Sequence, residues 1–255
     1  MDFDLCCASH SDPILQANLA ASPLVRAGQP LHVERGAPSA GVAYNRLLDR
    51  TQAPVVVFAH HDVYLPHGWD RLLAARLADL PADWALFGPY GVGLEGAAIG
   101  PVWSSSLGLI AGRVPLDPVP VQSFDELLIV MRRGAGLRFD EGLPGWHLYG
   151  TDIVTQARAR GLTAHAGALP CIHNDRFHEA LGPDFAASYR HLQRKWRAML
   201  PLRSPITKIS RSGLHLLRDT WKTRQSTGIR AAMAVGTDYA PAELAARCGW
   251  ASVWP

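Results

Sequence analysis

A mostly parallel α/β sheet is the fold that this sequence predicts, on three observations. Apolar runs of strand length alternate with segments of helical period along the first part of the chain, which argues for strands joined by right-handed helical crossovers. One run, Pro54 to Ala59, reads Pro-Val-Val-Val-Phe-Ala, a continuous β-branched stretch suited to a central strand covered on both faces. The 255 residues are 48% hydrophobic and 18% charged, enough to bury one substantial core.

In order, Phe3 to Ala8 reads as a strand, and Ser11-Asp12-Pro13 opens a helix ahead of Ile14, Leu15, Leu19 and Leu24. Pro30 to Glu34 is a second strand, and Gly36-Ala37-Pro38-Ser39 leads into a helix from about Ala40 to Arg50. After the central strand come a polar turn at His60 to Gly68, a helix over Trp69 to Leu80 and a strand at Trp84 to Gly88. Residues 91–118, rich in Gly, Pro and Ser, are expected to be irregular or a short hairpin. Leu127 to Arg133 reads as a strand, Leu137 to Glu141 as a further short one, and Thr151 to Arg160 as a helix. Leu162 to Ile172 is strand-like at its ends, and two helical patterns follow at about Phe177 to Met199 and Pro205 to Arg224.

Charge divides the chain. Residues 1–189 carry 13 Lys and Arg against 19 Asp and Glu, and residues 190–255 carry 12 against 3, with all three lysines in the second part. A basic tail behind an acidic body suits contact with something anionic, or is a solvated helical surface. No run approaches the roughly 18 apolar residues of a membrane span, and Asp2 and Asp4 stand where a secretory signal carries positive charge. The chain is therefore read as cytoplasmic, with the basic segment a candidate for peripheral contact with the inner face of the membrane. Nucleic acid is not an expected partner. Cys6, Cys7, Cys171 and Cys248 lack CxxC spacing and are read as reduced, packed thiols.

Three segments at element ends carry candidate chemistry. In His60-His61-Asp62, alternation along an extended backbone lets His60 and Asp62 point together while His61 points elsewhere. An imidazole and a carboxylate so placed hold a divalent ion that also takes diphosphate oxygens; equally, the histidines end a strand and Asp62 caps a turn. In Gly145 to Asp152, a carboxylate in the first turn of a helix is kept ionised and is open to a role as general base, or is simply an N-terminal helix residue. In Cys171-Ile172-His173-Asn174-Asp175, His173 completes a metal set with Asp62 or is structural. Asp125-Glu126 orients a sugar hydroxyl or caps a strand.

The stretch Val57-Phe58-Ala59-His60-His61-Asp62-Val63-Tyr64-Leu65-Pro66, followed by Gly68-Trp69, resembles the signature of family 2 glycosyltransferase-like domains of the streptomycin-biosynthesis-protein type. Phe124-Asp125-Glu126, Phe139-Asp140-Glu141, Trp146-His147-Leu148-Tyr149-Gly150 with Asp152, and Ile172-His173-Asn174 are similar to that group in the same order. The resemblance covers about residues 3–180. It implies a GT-A fold, Rossmann-like with helices on both faces of the sheet, binding a nucleotide-diphosphate sugar. A catalytic domain over 1–180 and a basic, mainly helical extension over 181–255 follow.

The resemblance further implies Mn2+ or Mg2+ held by Asp62 with His60 and His173, where His60 stands in place of the usual Asp, and Asp152 as general base of an inverting transfer. It puts Ser9, Glu34 and Asn45 near the nucleotide, and Asp125, Glu126, Trp146, His147 and Tyr149 on the substrate side. The acceptor is a glycan, a lipid-linked species or a small molecule. Two other readings stand beside transfer: a non-catalytic nucleotide- or glycan-binding domain, and a metal-dependent hydrolase, against which the absence of HxxEH or HExxH spacing weighs.

Overall fold

The computed structural model describes residues 1–236 and 239–254. Nine strands build the main sheet: β1 (Phe3–Ala8), β2 (Leu31–Glu34), β3 (Val55–His60), β4 (Trp84–Gly88), β5 (Gly91–Gly93), β6 (Ala98–Ile99), β7 (Val119–Phe124), β8 (Leu128–Arg132) and β9 (Thr163–Ala166). Their spatial order is β2-β1-β3-β8-β4-β9-β7-β5-β6. β1 pairs parallel with β2 and β3, and β4 parallel with β9. β8 enters antiparallel between β3 and β4, and β7, β5 and β6 extend the far edge with antiparallel pairing.

Alternation along the strands sorts side chains between two apolar layers. Val56 and Phe58 of β3, with Cys6 of β1 and Ile129 of β8, face one layer. Val55, Val57 and Ala59, with Cys7 and Val130, face the other. Adjacent cysteines thus end on opposite faces, and all four are free thiols. Each such valine or phenylalanine buried outright stabilises the fold by roughly 1.5–3 kcal/mol.

Eight helices are labelled: α1 (Asp12–Ala17), α2 (Ala40–Arg50), α3 (Trp69–Ala78), α4 (Tyr149–Ala159), α5 (Pro183–Lys195), α6 (Leu214–Gln225), α7 (Thr227–Met233) and α8 (Pro241–Arg247). The Ser39 hydroxyl caps α2 by accepting from the Val42 N–H, and α2 buries Ala40, Ala43, Tyr44, Leu47 and Leu48, the spacing of one apolar stripe. In α5, Phe185, Ser188, Tyr189 and Leu192 repeat that spacing. Phe185, Tyr189, Leu192, Leu202, Ile209 and Leu216 join the same buried layer as Phe58, so this part of the C-terminal segment packs on the sheet.

A second, smaller sheet positions the site. Ile172–His173 lies between Val63–Tyr64 and Val102–Ser104, with Leu109–Ala111 beyond. Its register sets His173 opposite Val63, beside Asp62.

Four expectations are corrected. Leu137 to Glu141 is not a strand. The Asn45 side chain donates to the Phe139 carbonyl and accepts from the Phe139 N–H, giving that backbone the pair of bonds a neighbouring strand would supply. Residues 91–118 contain four short strands rather than one hairpin. The helix expected from Phe177 starts only at Pro183, where proline suits the first turn. The helix expected from Pro205 starts at Leu214, because Leu202–Arg203 and Lys208–Ile209 first form a two-stranded hairpin.

Glycine within a helix ordinarily costs about 1 kcal/mol relative to alanine. At Gly41 in α2 the sign reverses, because a Cβ there lies 2.4 Å from the Asp140 carbonyl oxygen. Gly41→Ala is expected to destabilise by about 1–3 kcal/mol in urea denaturation. An unchanged or raised midpoint would contradict the close approach of α2 to the 139–141 segment.

Candidate functional site

The parallel strands β1, β2 and β3 end together at Ala8, Glu34 and His60, and the chain enters antiparallel β8 beside them. The His60 N–H donates to the Leu127 carbonyl, which brings Asp125-Glu126 to the same edge. Ligands in open α/β sheets bind beyond this end of the strands.

Three ligand atoms converge there. One each from His60, Asp62 and His173 lies within 4.8 Å of the others, near the span that a single ion with bonds of about 2.0–2.3 Å can bridge. His173 Nε2 stands 3.4 Å from Asp62 Oδ1 as a charge partner, and that buried oxygen has no hydrogen-bond partner among the described residues. The 172–175 segment is tied down on both sides. The Asn174 N–H donates to the Asp62 carbonyl, the Asn174 amide bonds Asn18 and Ser105, and Asp175 accepts from the Ser104 hydroxyl and the Ser106 N–H.

Electrostatics divides the roles. Burial pushes the His60 imidazole down to about 4, so it is neutral. Burial works against charge on His173 too, but the Asp175, Asp62 and Asp125 carboxylates outweigh it and push it up to about 10. Burial likewise opposes ionisation of Asp62, yet His173 holds its carboxyl well below the usual carboxylate range. Burial raises the Asp125 carboxyl, with Asp175 and Asp62 adding to it, and burial and Asp125 raise that of Glu126.

Tyr149 fixes the tautomer of His60. Its hydroxyl donates to the Glu126 carbonyl at 3.0 Å and lies 2.8 Å from His60 Nε2, so its oxygen accepts the Nε2 proton and leaves Nδ1 with the lone pair. Tyr149 is placed by Leu148, a non-glycine residue with positive φ among the described residues, at 65°. Such backbone costs about 1–3 kcal/mol and persists where surrounding contacts impose it. It also turns the Gly150 N–H onto Glu126 Oε1 at 3.2 Å. A Cβ at Gly150 would lie 2.7 Å from the Phe124 carbonyl, so glycine is needed for this approach.

The other sequence-predicted residues disperse. The Ser9 hydroxyl is 2.9 Å from His61 Nδ1, at the strand ends. Glu34 is buried and ion-paired with Arg46 and Arg50 of α2, and Asn45 is consumed by Phe139 and Glu141. Trp146 is exposed, and His147 bonds Asp184 at 3.0 Å. Asp152 is 1% exposed, and its oxygens already take the Lys195 ammonium, the Trp196 indole N–H and the Gln156 amide. Sequence reasoning gave no role to Asp175, the charge behind His173, nor to Ser104 and Ser106. The serine run and the acid two positions after His173 were its only signals.

No protein-family model matches the chain. A curated relative from Fuscovulum blasticum, named ATP synthase subunits region ORF 6, is 30% identical over 165 residues, spanning 58% of this chain and 64% of the relative. Among solved structures, GalNAc-T7 with UDP, GalNAc and Mn2+ aligns over all of this chain and 59% of its own, at TM-score 0.50 and 12% identity. The fold is that of the GT-A glycosyltransferases. A mannosyltransferase from Pyrobaculum calidifontis in complex with GDP-Man and Mn2+ aligns at TM-score 0.46 and 11% identity, over 98% of this chain and 76% of its own.

The His173 charge makes a pH prediction for metal-free protein. Its folded pKa is raised from 6.5 to about 10, so its stabilisation is fully present below 6.5 and is lost as pH rises through about 10. The melting temperature should fall across that window, and the fall should shrink in His173→Asn. Parallel profiles for the two proteins would refute the assignment.

Proposed function

We propose that this chain is a glycosyltransferase of the streptomycin-biosynthesis-protein type, moving a sugar from a nucleotide-diphosphate sugar to an acceptor hydroxyl with inversion. The observation that carries the reading is the convergence of His60, Asp62 and His173 beside an acidic pair at the open edge of a GT-A sheet. Residues 1–180 hold the donor chemistry, and residues 181–255 the acceptor side.

The donor set fits Mn2+, and Mg2+ less well because that ion prefers oxygen ligands. Asp62 offers a buried oxygen lacking a partner, His60 a neutral nitrogen of fixed tautomer, and His173 a second nitrogen once its proton leaves. The ion, when bound, supplies positive charge to the departing diphosphate. The protein's own part is to hold these ligands, position the acceptor and accept its proton.

For the proton acceptor we assign Glu126 in place of Asp152. Burial and Asp125 hold the Glu126 carboxyl well above the usual carboxylate range, so it takes up a proton more readily than an ordinary glutamate, and no cation is paired with it among the described residues. Asp152 carries three donors already, which suits joining α4 to α5. Glu126→Gln is expected to lower transfer by about 10²-fold or more while a nucleotide diphosphate with Mn2+ still raises the melting temperature. Asp152→Asn should melt earlier yet retain transfer. Loss of turnover in Asp152→Asn with Glu126→Gln unaffected would return the role to Asp152, and the absence of any nucleotide- and metal-dependent shift would defeat the transferase reading.

The acceptor side includes a surface suited to lipid. Leu214, Leu217 and Trp221, at one-face spacing on α6, are 64%, 69% and 61% exposed, and Ile229 and Met233 on α7 are exposed with them. Arg211, Arg218, Lys222 and Arg224 lie in and beside α6, a composition for peripheral contact with an anionic membrane. No helix among the described residues is long and apolar enough to cross a membrane. Sedimentation with anionic vesicles should fall with added salt and in Leu217→Ser/Trp221→Ser; neutral and anionic vesicles behaving alike would remove this contact.

A further inference from the structure

A polar cleft of about 400 Å3 opens between the β5–β6 hairpin, the 202–209 hairpin and the inner side of α6. Three cationic residues line it, Arg203, Lys208 and Arg218, against one carboxylate, Asp219. Asp219 is already taken: it accepts from Arg218 Nε at 2.9 Å and from the Thr207 hydroxyl at 2.7 Å. Arg203 and Lys208 have no carboxylate partner among the described residues. Two cations therefore face the cleft uncompensated.

The cleft is built rather than incidental. Buried Ser204 and Thr207 brace the hairpin through the Ser204 hydroxyl and the Thr207 backbone and hydroxyl, and it carries the exposed Arg203 and the half-buried Lys208. Arg203 reaches over Gly96, where a Cβ would lie 2.6 Å from Nη1, so that glycine makes room for the guanidinium. His215 also lines the cleft, and its Nδ1 is buried with no hydrogen-bond partner. The opposite wall is Tyr90, whose carbonyl accepts the Asp125 N–H, so the cleft adjoins the acidic pair.

We propose that this cleft is a phosphate site for the acceptor: it takes a phosphoryl group attached to the acceptor molecule through Arg203, Lys208 and His215, leaving the acceptor hydroxyl toward Asp125-Glu126. Guanidinium and ammonium groups recognise phosphate oxygens by charge-assisted hydrogen bonds. The position rests on the transferase reading, whereas phosphate binding itself does not.

Inorganic phosphate titrated into the metal-free full chain by calorimetry is expected to bind, and to bind equally in Asp62→Asn, which removes a metal ligand and is measured at a temperature where circular dichroism shows that variant folded. Arg203→Gln/Lys208→Gln should weaken it by about tenfold or more with an unchanged melting temperature. Equal affinity in the double variant, or loss in Asp62→Asn instead, overturns the site. Displacement of phosphate by glycerol phosphate points to a soluble acceptor, and displacement only by vesicles containing phosphatidic acid to a lipid-borne one; either supports the site. A parallel thermal-shift measurement with UDP and Mn2+ separates the two ideas. Phosphate binding without that shift leaves the cleft standing and the transferase reading fallen, and the shift without phosphate binding does the reverse.

Discussion

A buried carboxylate governs this molecule. Asp62 sits at the end of the central strand with little water around it, and an ionised group so placed is tolerated only if nearby charge offsets its lost hydration. His173 supplies that charge, and the small second sheet exists in a register that delivers it. The hydrogen bonds of Asn174 and Asp175 hold the delivering segment in place from three directions, namely Asp62, Asn18 and the 104–106 turn. Removing either charged partner would leave the other uncompensated, the arrangement that costs most in a protein interior.

That constraint extends to the acidic pair. Asp125 and Glu126 enter the same edge because β8 runs antiparallel beside β3, so its first residues meet the last residue of β3. Each carboxylate there makes ionisation of the next less favourable, and His173 relieves part of the repulsion at Asp125. Tyr149 connects the two halves through a single hydroxyl, held by a strained Leu148. Strain concentrated at the junction of metal ligands and acidic pair is what a pre-organised site requires.

Much of this was legible in the sequence because it follows from period. The continuous apolar run at Pro54 to Ala59 marks β3, and residues just beyond the strand ends mark the edge, so His60, Asp62 and His173 are found together as the motifs imply. What depends on long-range pairing was not legible. Nothing in Leu137 to Glu141 says that Asn45, far away in sequence, will satisfy its backbone and spare it a strand partner. Glu34 and Asn45 are polar residues in the right segments, yet each is spent on packing α2. The first-turn position of Asp152 is correct, but sequence gives no sign that Lys195 and Trp196 fold back onto it.

The histidine at position 60 has a physical reason within this arrangement. Asp62, Asp125, Glu126 and Asp175 already crowd the edge with carboxylates, and His173 is committed to offsetting them. Another aspartate at 60 would add a further negative charge where burial already penalises each one, and would raise its neighbours' pKa values further. A neutral imidazole contributes a lone pair without charge, and burial keeps it neutral at ordinary pH. The substitution lowers the charge attracting a divalent ion but also lowers the repulsion that the folded protein must hold when no ion is bound. A nitrogen of fixed tautomer in the set also moves the preference away from Ca2+, which takes oxygen ligands, and toward ions that accept imidazole.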